Sequence, residues 1–240
     1  PFTGATSEYY EPTREEMKAA CRRAGVATPA HVLAHTDADV ERAAEELRYP
    51  MFVKHHSSYA SVGLSRASRV LSPAGLRRQA RKIMSRFGAA LIEEFITGIE
   101  CTVLVAENPG YPQDPVTYVP MQYRFPDGES FKHADMKWVD YDAMSCFPVE
   151  DPLLRQRLRD ASARFFVEIR GAGFGRCDIR VDANGEPYML EINPYCGVYY
   201  PPTDPGSADL CLAHDPAGHV GFTRQLVEAA LARAGRAAPW

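Results

Sequence analysis

Apolar positions recur along this chain with two periods. Residues 14–25 (REEMKAACRRAG) place apolar or small side chains at 17, 20, 21 and 24, the spacing of an amphipathic helix, and Gly25 supplies its stop. A second helix is expected over 37–47. Pro50 then introduces Met51-Phe52-Val53, a run too short for a helix, which predicts a strand ending at Lys54. Residues 55–63 (HHSSYASVG) have the small, hydroxyl-rich composition of a loop, and a strand over 64–70 and a helix over 74–86 follow.

Strand-like runs at 90–95 and 100–106 flank Ile96-Thr97-Gly98-Ile99, and the Pro/Gly-rich stretch 108–115 predicts an exposed loop. A strand over 116–123, a turn at 126–128, a long helix over 152–171 and a closing helix over 222–234 complete the pattern. Mixed elements without an internal repeat indicate an α/β or α+β chain.

The segment from Arg176 to Asn193 contains two apolar-rich runs around Asn184-Gly185, a strong hairpin signal. A two-residue turn there pairs residues whose numbers sum to 369, which sets Asp178 opposite Glu191 and Arg176 opposite Asn193. Alternation then sends Asp178, Glu191 and Asn193 to one face, and Ile179, Leu190 and Ile192 to the other. Facing carboxylates repel, and a divalent cation would remove the conflict. Oxygen donors without Cys or His suit Mg²⁺ or Mn²⁺. The same residues also suit the solvated polar face of an ordinary hairpin.

Composition narrows the picture. With 240 residues and 45% apolar content the chain can bury a substantial core, as one domain of two lobes or as two small domains. A net charge of −4 with mixed signs leaves no nucleic-acid footprint. No apolar run is long enough to span a bilayer, and six scattered cysteines without a C-x-x-C pair fit reduced thiols in a cytoplasm.

The run Gly-Phe-Gly-Arg176-Cys-Asp178 … Tyr-Met-Leu-Glu191-Ile-Asn193-Pro resembles the G-x-x-R-x-D … E-x-N signature of the ATP-grasp superfamily, in its D-alanine-D-alanine ligase branch. The resemblance implies an α+β ATP-grasp fold, with two α/β lobes of mainly antiparallel sheets clamping ATP between them. Residues 14–97 would form the central lobe and 98–240 the catalytic lobe. Residues 1–13 would be the remnant of an N-terminal lobe that the family carries upstream.

The resemblance also assigns roles. Asp178, Glu191 and Asn193 would hold two Mg²⁺ ions against ATP, with Arg176 stabilising the tetrahedral intermediate. Arg14, Lys54 and Lys137 would contact phosphates, with Ser61 in the loop that folds over them. Glu93 and the backbone of Glu94, Phe95 and Ile96 would hold adenine, Phe131 would stack on it, and Glu100 would bind the ribose hydroxyls. Trp138, Tyr195, Cys196 and Gly197 fall at the substrate positions.

Departures from the family concern the substrate. Ala60-Ser61 stands where the ligases carry Ser-Ser, Trp138 replaces their tyrosine, and Tyr195–Pro202 with an enlarged 203–220 segment replaces a threonine-rich loop. These changes predict a carboxylate–amine ligase whose substrates are small molecules, amino acids or small peptides, other than D-Ala-D-Ala, with a homodimer as a possible assembly. The competing readings are an ATP-binding regulatory module without catalysis, and a metal or redox protein built on Cys177, Cys196, His55, His56, His214 and His219.

Overall fold

A computed structural model describes residues 4, 6–57, 62–133 and 144–236, which form two compact units. One unit comprises 29–97 and 125–145; the other comprises 1–28, 98–124 and 146–240. Neither is contiguous, in contrast to a division into 14–97 and 98–240. The first helix belongs with the later residues because its buried Met17, Ala20 and Cys21 pack toward the hairpin and the long helix, and because Ala27 accepts a hydrogen bond from the Met189 N–H (2.8 Å).

In the smaller unit, β1 (His31–Ala34), β2 (Met51–His55), β3 (Arg69–Val70) and β4 (Ala90–Glu94) form an antiparallel sheet in the order β1-β4-β2-β3. Helices α2 (Asp37–Glu46) and α3 (Pro73–Phe87) cover one face. Val40, Ala43, Leu76, Ala80 and Ile83 from the helices meet Val32, Met51, Val53 and Ile92 there. Each helix starts where its sequence places a cap. Thr36 and Asp39 form a capping box, and Ser72 caps α3 ahead of Pro73. The strand expected over 64–70 shrinks to two residues. Ser65 and Ser68 bond to each other locally and wind 66–68 into a 3₁₀ turn.

The larger unit is built on β5 (Ile99–Ala106), with β6 (Val116–Thr117), β7 (Met121–Arg124), β8 (Ser145–Pro148), β9 (Phe174–Val181) and β10 (Pro187–Pro194). The order is β10-β9-β5-β7-β8, with β6 also on β5. The expected 116–123 strand is broken at Pro120, which has no N–H for the ladder.

Alternation gives this sheet two unlike faces. Cys101, Val103, Cys177, Ile179 and Ile192 are buried on the face covered by α1 (Arg14–Arg23) and α4 (Pro152–Glu168). On the other face, α5 (Ser207–Ala213) and α6 (Gly218–Arg233) cover the end carrying Leu104 and Ala106. The 203–220 segment is therefore largely helical, and its Ala208, Cys211 and Leu212 are core. Among the described residues no helix is long and apolar enough to cross a membrane.

Candidate active-site face

The hairpin turns over three residues, not two. Asp182 C=O accepts from Gly185 N–H (3.1 Å), Gly185 takes φ +77°, and Asp182 pairs with Glu186. The Asp182 carboxylate accepts from the Asn184 and Glu186 N–H groups (both 2.9 Å), and those bonds, the Glu186 one first, hold it below the usual carboxylate range. Near the turn the paired numbers therefore sum to 368, as in Met189↔Ile179. Leu190 is then an extra residue, a bulge, and beyond it Glu191↔Asp178 and Asn193↔Arg176 pair at 369. The expected pairs form, but through a longer loop and a compensating bulge. Buried Met189, not Leu190, accompanies Ile192 on the covered face. The bulge also turns the Met189 backbone outward, where its N–H meets Ala27 and its C=O accepts from Thr28 Oγ1 (2.9 Å).

Register partners on this second face place Glu100 beside Arg180, Thr102 beside Asp178, and Leu104 beside Arg176. Arg176 forks onto Asp178, Nε to Oδ1 at 3.1 Å and Nη2 to Oδ2 at 3.0 Å. Asn193 Nδ2 donates to Asp178 Oδ2 (2.9 Å). Thr102 Oγ1 donates to the Cys177 carbonyl (3.0 Å) and lies 3.1 Å from Asp178 Oδ1. Glu191 carries Arg14 on one carboxylate oxygen. Burial works against the Arg176 charge, yet Asp178 and Tyr123 beside it hold its pKa well above the ordinary arginine value, so the guanidinium is a fixed cation. Burial in turn pushes the Tyr123 phenol well up, with Arg176 opposing.

Arg176, Asp178, Glu191, Asn193 and Arg14 thus stand together. Thr102 and Arg180 join the same face although the sequence pattern does not single them out. The available signal was the alternation Arg176-x-Asp178-x-Arg180 and a hydroxyl within an apolar strand. The donor set fits a hard divalent cation: two carboxylates and an amide oxygen, without histidine. Among the described residues no three His, Cys, Asp or Glu side chains gather as metal ligands. A cation here would complete its shell from phosphate and water, as Mg²⁺ does.

After the hairpin, Tyr195 and Tyr199 adopt φ of +54° and +67°, strained for side chains of this size. Asp209 ties the following loop: it accepts from the N–H groups of Tyr199 (2.7 Å), Tyr200 (3.4 Å) and Gly206 (3.1 Å) and pairs with His219 Nε2 (2.8 Å). A Cβ on Gly197 would meet the Tyr200 ring at 2.4 Å. Cys196 is buried, and burial pushes its thiol up to about 12 despite nearby Arg176.

In the smaller unit, Lys54 Nζ and Glu93 Oε2 form a buried pair at 2.6 Å. Glu94 binds Arg48 by a fork, which holds its carboxylate below the usual range. The Glu94 N–H donates to Ala30 and the Phe95 N–H to Pro50, and Ile96 follows half-buried. Phe131 is buried edge-on against Phe52 (4.9 Å), with Phe95 completing an aromatic cluster. His55 lies tilted against Phe87 and accepts from the Ser57 N–H (2.9 Å), and His219 is hydrogen-bonded to Asp209, so these two histidines have structural partners. Ser61, Lys137 and Trp138 lie outside the described residues.

Known proteins resemble this chain in sequence and in fold. The D-alanine--D-alanine ligase of Pseudomonas fluorescens is 29% identical over 211 residues, covering 87% of this chain and 58% of the relative. D-alanine--D-alanine ligase B of Pseudomonas syringae pv. tomato is 30% identical, covering 87% and 59%. The chain thus spans less than two thirds of the length of these curated relatives. Among solved structures, the VanG D-Ala:D-Ser ligase of Enterococcus faecalis superposes with a TM-score of 0.75 at 15% identity, covering 95% of this chain and 64% of that one. A biotin carboxylase from Campylobacter jejuni covers the whole chain and 50% of its own length, with a TM-score of 0.70 at 18% identity. These likenesses show an α+β ATP-grasp fold. Residues 22–200 match the family model described as D-ala D-ala ligase C-terminus, and the chain belongs to that family.

Proposed function

We propose that the chain is the ATP-binding and catalytic part of an ATP-dependent carboxylate–amine ligase. The observation that carries this reading is the array on β9 and β10, where Asp178, Glu191 and Asn193 share one face with Arg176.

Mg²⁺ bound to Asp178, Glu191 and Asn193 would neutralise and orient the ATP phosphates. The protein's own part is positioning and charge. A substrate carboxylate attacks the γ-phosphorus, the bond to the bridging oxygen breaks, and ADP departs with those electrons. An amine then adds to the acylphosphate carbonyl, its nitrogen gives up a proton to solvent, and phosphate leaves with the electrons of the broken C–O bond as the amide forms. Arg176, held ionised, is placed to stabilise the oxyanion of that addition. Arg14, Lys54 and Lys137 take phosphate contacts, Glu93, Glu94, Phe95, Ile96 and Phe131 serve adenine, and Glu100 serves the ribose.

The substrate is an amino acid or small peptide other than the D-Ala-D-Ala pair. Support comes from the loop that follows Asn193, where Tyr195, Tyr199 and Tyr200 are exposed and Asp209 fixes the backbone. ADP release screened over pairs of amino acids tests both statements. Turnover is expected with at least one pair, and Arg176→Ala should lower it by about 10²-fold or more. Undiminished turnover in that variant would remove Arg176 from the chemistry; MgATP binding without turnover on any pair would favour a regulatory module.

A further inference from the structure

The larger unit buries an arginine that this reading does not use. Arg180 is 3% exposed on β9, in the same row as Arg176 and Asp178. Its Nη1 donates to Glu100 Oε2 (3.2 Å) and its Nη2 to the Gly98 carbonyl (2.9 Å), and Glu100 is its register partner on β5. We infer that Arg180 is a positioning residue that aims the buried Glu100 carboxylate at nucleotide ribose hydroxyls, and so sets the preference of the protein for ribonucleotides.

The geometry supports this beyond simple charge pairing. Charge pairing alone does not call for an arginine at 180, since buried ion pairs are often no more stabilising than the hydrophobic residues that could replace them. The guanidinium reaches the carboxylate through Nη1 and, through Nη2, the backbone two residues before it. The backbone anchor packs on β9: a Cβ on Gly98 would lie 2.0 Å from the Val181 carbonyl oxygen. Glu100 has three rotatable bonds, and a fork fixed at one end restricts which way its carboxylate points. A lysine supplies charge without the fork.

The inference rests on the proposal that Glu100 meets ribose, and the experiment separates the two. Calorimetric affinities for ATP and for 2′- and 3′-deoxyATP, with Mg²⁺, are measured on the wild type, Arg180→Met, Arg180→Lys, Glu100→Gln and the Arg180→Met/Glu100→Gln double variant. The wild type should prefer ATP over at least one deoxy analogue by about tenfold or more, because a site built for a hydroxyl leaves polar groups unpaired without it. Arg180→Met should cut that preference to about twofold, Arg180→Lys should lower it partly, and the double variant should match Glu100→Gln, as coupled residues do.

A wild-type preference retained in Arg180→Met overturns the inference alone. Where that variant does not fold, a preference kept in Arg180→Lys does the same. A preference that survives Glu100→Gln overturns the ribose role and this inference with it, and absence of ATP binding by the wild type overturns the proposed function itself.

Discussion

Asp178 faces Glu191 across β9 and β10, and each carboxylate carries its own guanidinium, Arg176 on the first and Arg14 on the second. Like charges on facing strands are unfavourable, and the two arginines offset that cost in the protein alone. Asp178→Asn removes the acceptor fork of a cation whose side chain is 18% exposed. Stability should fall by about 2 kcal/mol, less than for a fully buried pair. Urea unfolding measures it, and an unchanged midpoint would show that the fork contributes little.

Much of this face can be read from the sequence because β9 alternates strictly. Arg176, Asp178 and Ile179 take the sides that period two assigns them, and Glu191 and Asn193 meet their expected partners. The route to that register cannot be read in the same way. Asn184-Gly185 suggests a two-residue turn, whereas the Asp182 carboxylate captures two N–H groups and widens the loop, and the Leu190 bulge restores the pairing. Ala27 and Thr28 reward the bulge from far away in sequence, a contact that no local pattern contains. Likewise, helix α5 hides in a segment whose Pro and Gly residues suggest a loop, because its apolar residues face a core built from β5.

Thr102 is buried on the central strand, one hydrogen bond from the Cys177 carbonyl and beside Asp178. Thr102→Val keeps the shape and removes the hydroxyl. We expect a loss of about 1–2 kcal/mol in denaturant unfolding, the usual consequence of leaving a buried acceptor without its donor, together with weaker binding of MgATP.

Asp209 holds three backbone N–H groups and His219. Asp209→Ala leaves those donors without their acceptor and should loosen 199–206. Amide exchange there should accelerate by about tenfold or more, while exchange in β5 and β9 stays slow. Uniform acceleration across both would mean that Asp209 supports the whole unit.

Burial pushes the Cys21, Cys101, Cys196 and Cys211 thiols up to about 12. A group whose folded pKa is raised contributes its stability below the unfolded value, near 9, and loses it as pH climbs toward 12. Each thiol should therefore withdraw about 1 kcal/mol between pH 8 and pH 10. The urea midpoint should drop across that interval, and less so in Cys21→Ala. These thiols should also resist alkylation at pH 8 in the folded protein.

Whether Asp178, Glu191 and Asn193 hold Mg²⁺ against ATP is read by calorimetric titration with ATP, with Mg²⁺ and then with EDTA, on wild type and Glu191→Gln. Binding should require Mg²⁺ and weaken by about tenfold or more in the variant, the scale on which metal-site changes act. Equal ATP affinity with and without Mg²⁺, unaffected by Glu191→Gln, would show that these three residues hold no cation against the nucleotide.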